Sequence, residues 1–79
     1  MQLRVYGRAY CHLCDDMVAA LRRLQAQLAF RFDLLDVDAD PALEARFGER
    51  VPVLVDASGE EICHYWLDED ALRRRLALK

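Results

Sequence analysis

The sequence predicts an α/β domain of order strand, helix, strand, helix, strand, strand, helix (βαβαββα), with a four-stranded mixed sheet flanked by three helices. Three observations carry this. Apolar and polar residues alternate in Gln2-Leu3-Arg4-Val5-Tyr6 and again from Phe30 to Val37, the period of a strand. Between them, apolar residues from Cys14 to Leu28 recur at helical spacing. Near the end, the turn-forming run Asp56-Ala57-Ser58-Gly59 separates two further strand-like segments. A strand–helix–strand opening implies a right-handed parallel crossover, and a closing hairpin implies antiparallel pairing.

In chain order, Leu3 and Val5 mark a first strand that runs into a loop at Gly7 to Tyr10. It belongs at the centre of the sheet, where both faces are ordinarily apolar, so Arg4 conflicts with that place. The helix that follows sets Cys14, Met17, Val18, Leu21, Leu24 and Leu28 against Asp15, Arg22, Arg23, Gln25 and Gln27. The second strand is half exposed and therefore at an edge. Asp40 and Pro41 supply an N-cap and a first-turn proline, and Gly48 a stop, for a short helix over roughly residues 41 to 47 with Leu43 and Phe47 as its buried pair. Val51 to Val55 reads as a buried strand with Pro52 at its start, because proline cannot donate to a ladder. Glu61 to Trp66 returns as the opposite edge. In the last helix Asp68 is the N-cap, Leu67 staples to Leu72, Leu72 and Leu76 are buried, and Arg73, Arg74, Arg75 and Lys79 form a solvated end that complements the dipole.

A chain of 79 residues holds one domain and one small core. With 14 acidic and 11 basic residues and a net charge of −3, nucleic acid is not an expected partner. Met1 leads straight into the alternating segment, and no apolar run approaches the ~20 residues of a membrane span, so neither a leader nor a membrane partner is expected. Three cysteines, two of them only three positions apart, do not make a disulfide-held secreted scaffold. The expected setting is the reducing cytoplasm, and the expected state a monomer.

Cys11-His12-Leu13-Cys14 lies where the first strand gives way to the first helix. On a helical turn, residues three apart share a face, which permits the Cα separation of about 5.5 Å that a disulfide needs. The amides of Leu13 and Cys14 would point back at the Cys11 sulfur, and with the helix dipole they favour thiolate over thiol. Cys11 is therefore the expected nucleophile and Cys14 the resolving thiol. His12, as a cation next to Cys11, would tune that thiolate, whereas Asp15 and Asp16 act against it and serve the helix start. Tyr10 reads as a packing aromatic beside the nucleophile. Arg8 and Arg50 can meet a substrate carboxylate or stay solvated, with Arg8 the better candidate. Cys63 behaves as a small buried hydrophobe, and His64 faces the other way as an ordinary strand residue. Cys11, Cys14, Cys63 and either His12 or His64 form a nominal zinc set, but structural zinc sites present two paired knuckles and only one is here, so no metal or bound cofactor is expected. A redox-inactive binding module is the remaining alternative.

The element order, the run Val5-Tyr6-Gly7-Arg8-Ala9-Tyr10-Cys11-His12-Leu13-Cys14 and the Val51-Pro52 pair before the third strand resemble the thioredoxin fold, and specifically the small glutaredoxin-like proteins, over nearly the whole chain. The resemblance implies a thiol–disulfide oxidoreductase in which Cys11 attacks and Cys14 resolves. It further implies that Pro52 is cis and faces the cysteines. A cis X–Pro bond costs little compared with other cis peptides and would turn the Val51 backbone outward toward an extended substrate. Arg8 stands where the family has a lysine that meets a glutathione carboxylate. Tyr65-Trp66 replaces the family's Gly-Gly, Arg50 its threonine and His12-Leu13 its Pro-Tyr. The implied substrates are thus disulfide-bearing proteins or glutathione mixed disulfides, with glutathione as a co-substrate.

Overall fold

The computed structural model describes residues 1–77, and Lys79 lies outside the described residues. The elements are β1 (Gln2–Gly7), α1 (His12–Leu24), β2 (Arg31–Asp36), α2 (Pro41–Phe47), β3 (Val53–Val55), β4 (Glu61–His64) and α3 (Glu69–Ala77). Single 3-10 turns at Val37–Ala39 and Gly48–Arg50 flank α2. The four strands form one mixed sheet in the order β2-β1-β3-β4. β1 runs parallel to β2, with Val5 opposite Leu34 and Gly7 opposite Asp36, and antiparallel to β3. β3 and β4 close the hairpin, with Leu54 opposite Cys63.

The alternation along the strands divides the core in two. Leu3 and Val5 of β1, Leu54 and Cys63 meet Met17, Leu21 and Leu24 of α1 and Leu72 of α3 on one face. Tyr6, Val53 and Val55 meet Val37 and Phe47 on the other, with the Tyr6 and Phe47 rings stacked at 4.2 Å. Arg4 shares the second face yet is exposed. α2 has only seven residues and covers the Tyr6 end, so a charge two positions back reaches solvent although β1 is central.

Local chemistry sets the element ends. Asp40 Oδ1 accepts the Ala42 amide at 2.9 Å and Pro41 opens α2. Gly48 does not end α2 in the left-handed conformation expected of a terminating glycine; its φ is −53° and the chain tightens into the 3-10 turn. In the β3–β4 turn, Asp56 Oδ1 accepts from the Ser58 amide at 2.9 Å, the Ser58 hydroxyl at 2.6 Å and the Glu60 amide at 3.0 Å. Gly59 takes a φ of +89° there, which a side chain would oppose. Asp68 Oδ1 accepts the Ala71 amide at 3.0 Å and caps α3.

Four expectations need correction. α1 ends at Leu24 rather than running on to Leu28, because the Ala26 and Gln27 amides bond three residues back and tighten the chain into a turn. Gly7 belongs to β1 rather than to a loop, because it still pairs with Asp36. The returning strand stops at His64, because Tyr65, at a φ of +67°, turns the chain out of the ladder. Arg75 is not a solvated helix end: it bonds Asp56 and sits 3.2 Å from Glu60, clasping α3 to the β3–β4 turn.

Candidate active site

β1 delivers the chain through a short loop to Cys11, which caps α1 with an extended backbone of φ −116° and ψ 106°. Cys11 and Cys14 are joined by a disulfide with a Cα separation of 5.2 Å. Of the two amides that the sequence aims at the Cys11 sulfur, that of Cys14 donates to it at 3.1 Å. Cys11 is half-buried, whereas Cys14 is 4% exposed. One sulfur is therefore open to a partner molecule and the other only to its neighbour. After reduction, the same amide and the start of α1 would favour negative charge on Cys11. His12 and Asp15 are both exposed on the first turn of α1.

Gly7 is a site residue that sequence reasoning passed over. A Cβ there would lie 3.1 Å from Cys14 Sγ and 3.4 Å from Cys14 Cβ, so the bare glycine backbone is what lets the second cysteine settle against β1. A glycine ending a strand just before paired cysteines was the available signal. Tyr10 overturns its reading as a packing aromatic. Its φ is +58° and the side chain is fully exposed, because the left-handed backbone before Cys11 turns the ring into solvent.

On the other side of the cysteines in sequence, the Val51–Pro52 peptide is cis and Pro52 is buried. The Tyr65 amide donates to the Pro52 carbonyl at 2.9 Å, which ties the corner after β4 to the start of β3. The Tyr65 hydroxyl donates to the Glu49 carbonyl at 3.3 Å, and the next residue, Trp66, is 67% exposed. His64 Nδ1 lies 2.7 Å from Glu61 and its ring meets Tyr65 edge-on at 4.6 Å.

Both candidate cations already have partners within the chain. Arg8 bonds Glu44 and lies 3.3 Å from Asp38, so it braces the loop after β1 against α2. Arg50 bonds Glu61 and donates to the Arg46 carbonyl at 3.0 Å. Cys63 is a free thiol in the core under α1 and α3, and burial pushes its pKa up. Among the described residues, no three His, Cys, Asp or Glu side chains are grouped to hold a metal ion, and no helix is long and apolar enough to cross a membrane.

This geometry can be compared with known proteins. The model of the glutaredoxin-like domain (DUF836) matches residues 2–77. The uncharacterized protein Rv0508 of Mycobacterium tuberculosis is 33% identical over 81 residues, covering 96% of this chain and 82% of its own. The solution structure of Ne2328 from Nitrosomonas europaea superposes with a TM-score of 0.85 at 40% identity, covering 94% of this chain and 88% of that one. Thioredoxin 1 of Thermosipho africanus, at 16% identity and a TM-score of 0.65 over 99% of this chain and 97% of that one, shows the shared fold alone. On this evidence the chain, a thioredoxin fold with a cysteine pair at the start of its first helix, belongs to the glutaredoxin-like domain family.

Proposed function

We propose that this protein is a thiol–disulfide oxidoreductase that reduces protein or glutathione mixed disulfides through Cys11 and Cys14. The observation that carries the reading is the asymmetry of the pair: Cys11 is reachable and bonded to an amide at the start of α1, while Cys14 is buried behind it. The reduced Cys11 thiolate attacks one sulfur of a substrate disulfide, forming a mixed disulfide and expelling the other sulfur as a thiolate that takes a proton from water. Cys14, losing its proton, then attacks Cys11 Sγ, closes the intramolecular disulfide and releases the substrate thiol. Two electrons pass to the substrate. An external thiol, such as two molecules of glutathione, returns them.

The cycle needs no bound cofactor, and the proposed setting is the cytoplasm, with the protein acting as a monomer. In this reading the cis Val51–Pro52 segment would present its backbone to an extended substrate, as peptide strands pair with exposed backbone elsewhere. His12 would tune Cys11 from the first helical position.

Trapping tests the roles. Cys14→Ser in a Cys63→Ser background should accumulate a mixed disulfide on Cys11 when mixed with oxidised glutathione or a disulfide-bonded protein, seen as the adduct mass on intact protein. Cys11→Ser should accumulate none. An adduct on Cys14 instead would overturn the assignment.

A further inference from the structure

A second feature adjoins Cys14 on the β2 side of β1, the side opposite β3. A cleft of roughly 340 Å3 opens between α1 and the edge strand β2, with Gly7 and Cys14 at its base. Its apolar walls are Val18 and Leu34, and Tyr10 stands at its mouth. Leu34 lies opposite Val5 in the parallel register, on the α1 face of the sheet, yet it is 59% exposed, because it borders the open cleft between β2 and α1. A half-open leucine beside a fully exposed tyrosine is surface that gains by being covered.

The charges around the cleft select what can cover it. Asp15 and Asp36 line it. Arg8 lines it too, but its guanidinium is already held by Glu44 and Asp38, which leaves the two aspartates as the charges without a cationic partner among the described residues. The rim is therefore acidic. Glutathione carries two carboxylates and one ammonium group, so it would meet repulsion here and gain little from so small an apolar body. A polypeptide with a large apolar side chain and a basic residue next to its cysteine satisfies both the walls and the rim.

We propose that this cleft docks the apolar side chain of a basic polypeptide whose disulfide the Cys11–Cys14 pair reduces, making Leu34 a specificity residue and Asp36 its charge selector. The proposal rests on the oxidoreductase reading and narrows its substrate class from disulfides in general to basic polypeptide disulfides. The chemical step is unchanged: two electrons leave the dithiol, and the peptide disulfide becomes two thiols.

The test follows the second-order oxidation of the fully reduced Cys63→Ser protein by an excess of each of three disulfides, with acid quenching and mass spectrometry. The first is a peptide disulfide with Leu and Arg beside the cysteine, the second has Leu and Glu, and the third is hydroxyethyl disulfide. The Arg peptide should react about tenfold faster than the Glu peptide at low salt, and the gap should narrow as ionic strength rises. Leu34→Ala should lower the ratio of Arg-peptide to hydroxyethyl-disulfide rates about tenfold, and Asp36→Asn should shrink the Arg-to-Glu preference while keeping the side-chain acceptor for Asp38. Equal rates for the two peptides, or preferences that both variants leave intact, would overturn the cleft assignment while leaving the oxidoreductase reading standing. Failure of all three disulfides to oxidise the protein would sink that reading, and the cleft assignment with it.

Discussion

At the scale of single residues, Gly7 and Cys14 are a matched pair. The sulfur can sit against β1 because nothing projects from position 7, and a methyl group there must displace Cys14 or the strand. Gly7→Ala should therefore destabilise the protein by about 1–3 kcal/mol, the usual cost of overpacking a filled site, as read from urea unfolding. It should also slow closure of the Cys11–Cys14 disulfide. A variant as stable as the parent would show that Cys14 has room that the structure does not indicate. Such a close approach leaves only a hint in one sequence, a glycine before paired cysteines, because it joins a strand end to a helix seven positions later. The same limit applies to Arg8. As a lone basic residue in the sequence it is a candidate for a substrate carboxylate, but its partners Asp38 and Glu44 come near only through the fold. Tyr10 and Tyr65 fall under it too, since nothing about a tyrosine announces a positive φ.

At the scale of elements, the periodic signals were legible and the long-range ties were not. α1, β2 and the Asp40-Pro41 start of α2 follow from spacing and caps in the sequence, because those forces act over a few residues. The clasp between α3 and the β3–β4 turn joins Arg75 to Asp56 across 19 positions, and local pattern cannot show it. Asp56 is the centre of that clasp. The Ser58 hydroxyl bond, outweighing partial burial, together with the Glu60 and Ser58 amides and Arg75, lowers its pKa from 3.8 to about 2. The folded state thus favours the carboxylate, and this stabilisation is complete above the unfolded value near 3.8 and lost as pH falls through about 2. Asp56→Asn should be less stable than the parent at pH 7, and the difference should shrink between pH 4 and 2, as followed by urea unfolding at each pH. A difference that stays constant over that range would mean that the charge of Asp56 does not matter to the fold.

At the scale of the whole molecule, a four-stranded sheet with a core on each face holds the cysteine pair at the C-terminal end of its central strand β1. That end is where a parallel crossover leaves the sheet and a helix begins, so the amide that reaches Cys11 is a product of the topology. The core is small, and Leu72 is the fully buried side chain by which α3 joins it. Leu72→Ala should cost about 2–5 kcal/mol in urea unfolding, a large fraction of the stability of so short a chain; a loss below 1 kcal/mol would mean that α3 contributes little to holding the sheet. The order of elements, the central place of β1 and the position of the cysteines were all legible in advance. The cleft beside Leu34 was not, because it depends on how the fold sets α1 against β2.

The central claim is that Cys11 and Cys14 exchange between dithiol and disulfide within the folded protein. The most direct measurement is the equilibrium of the Cys63→Ser protein across glutathione redox buffers, with the species counted by mass spectrometry and the fold followed by circular dichroism. The expected result is one reversible two-electron transition, a mass change of two hydrogen atoms on Cys11 and Cys14 together, and a folded protein at both ends. A pair that stays reduced at every buffer ratio, or that oxidises only as the chain unfolds, would contradict it and would leave this domain as a binding module that keeps two cysteines without using them.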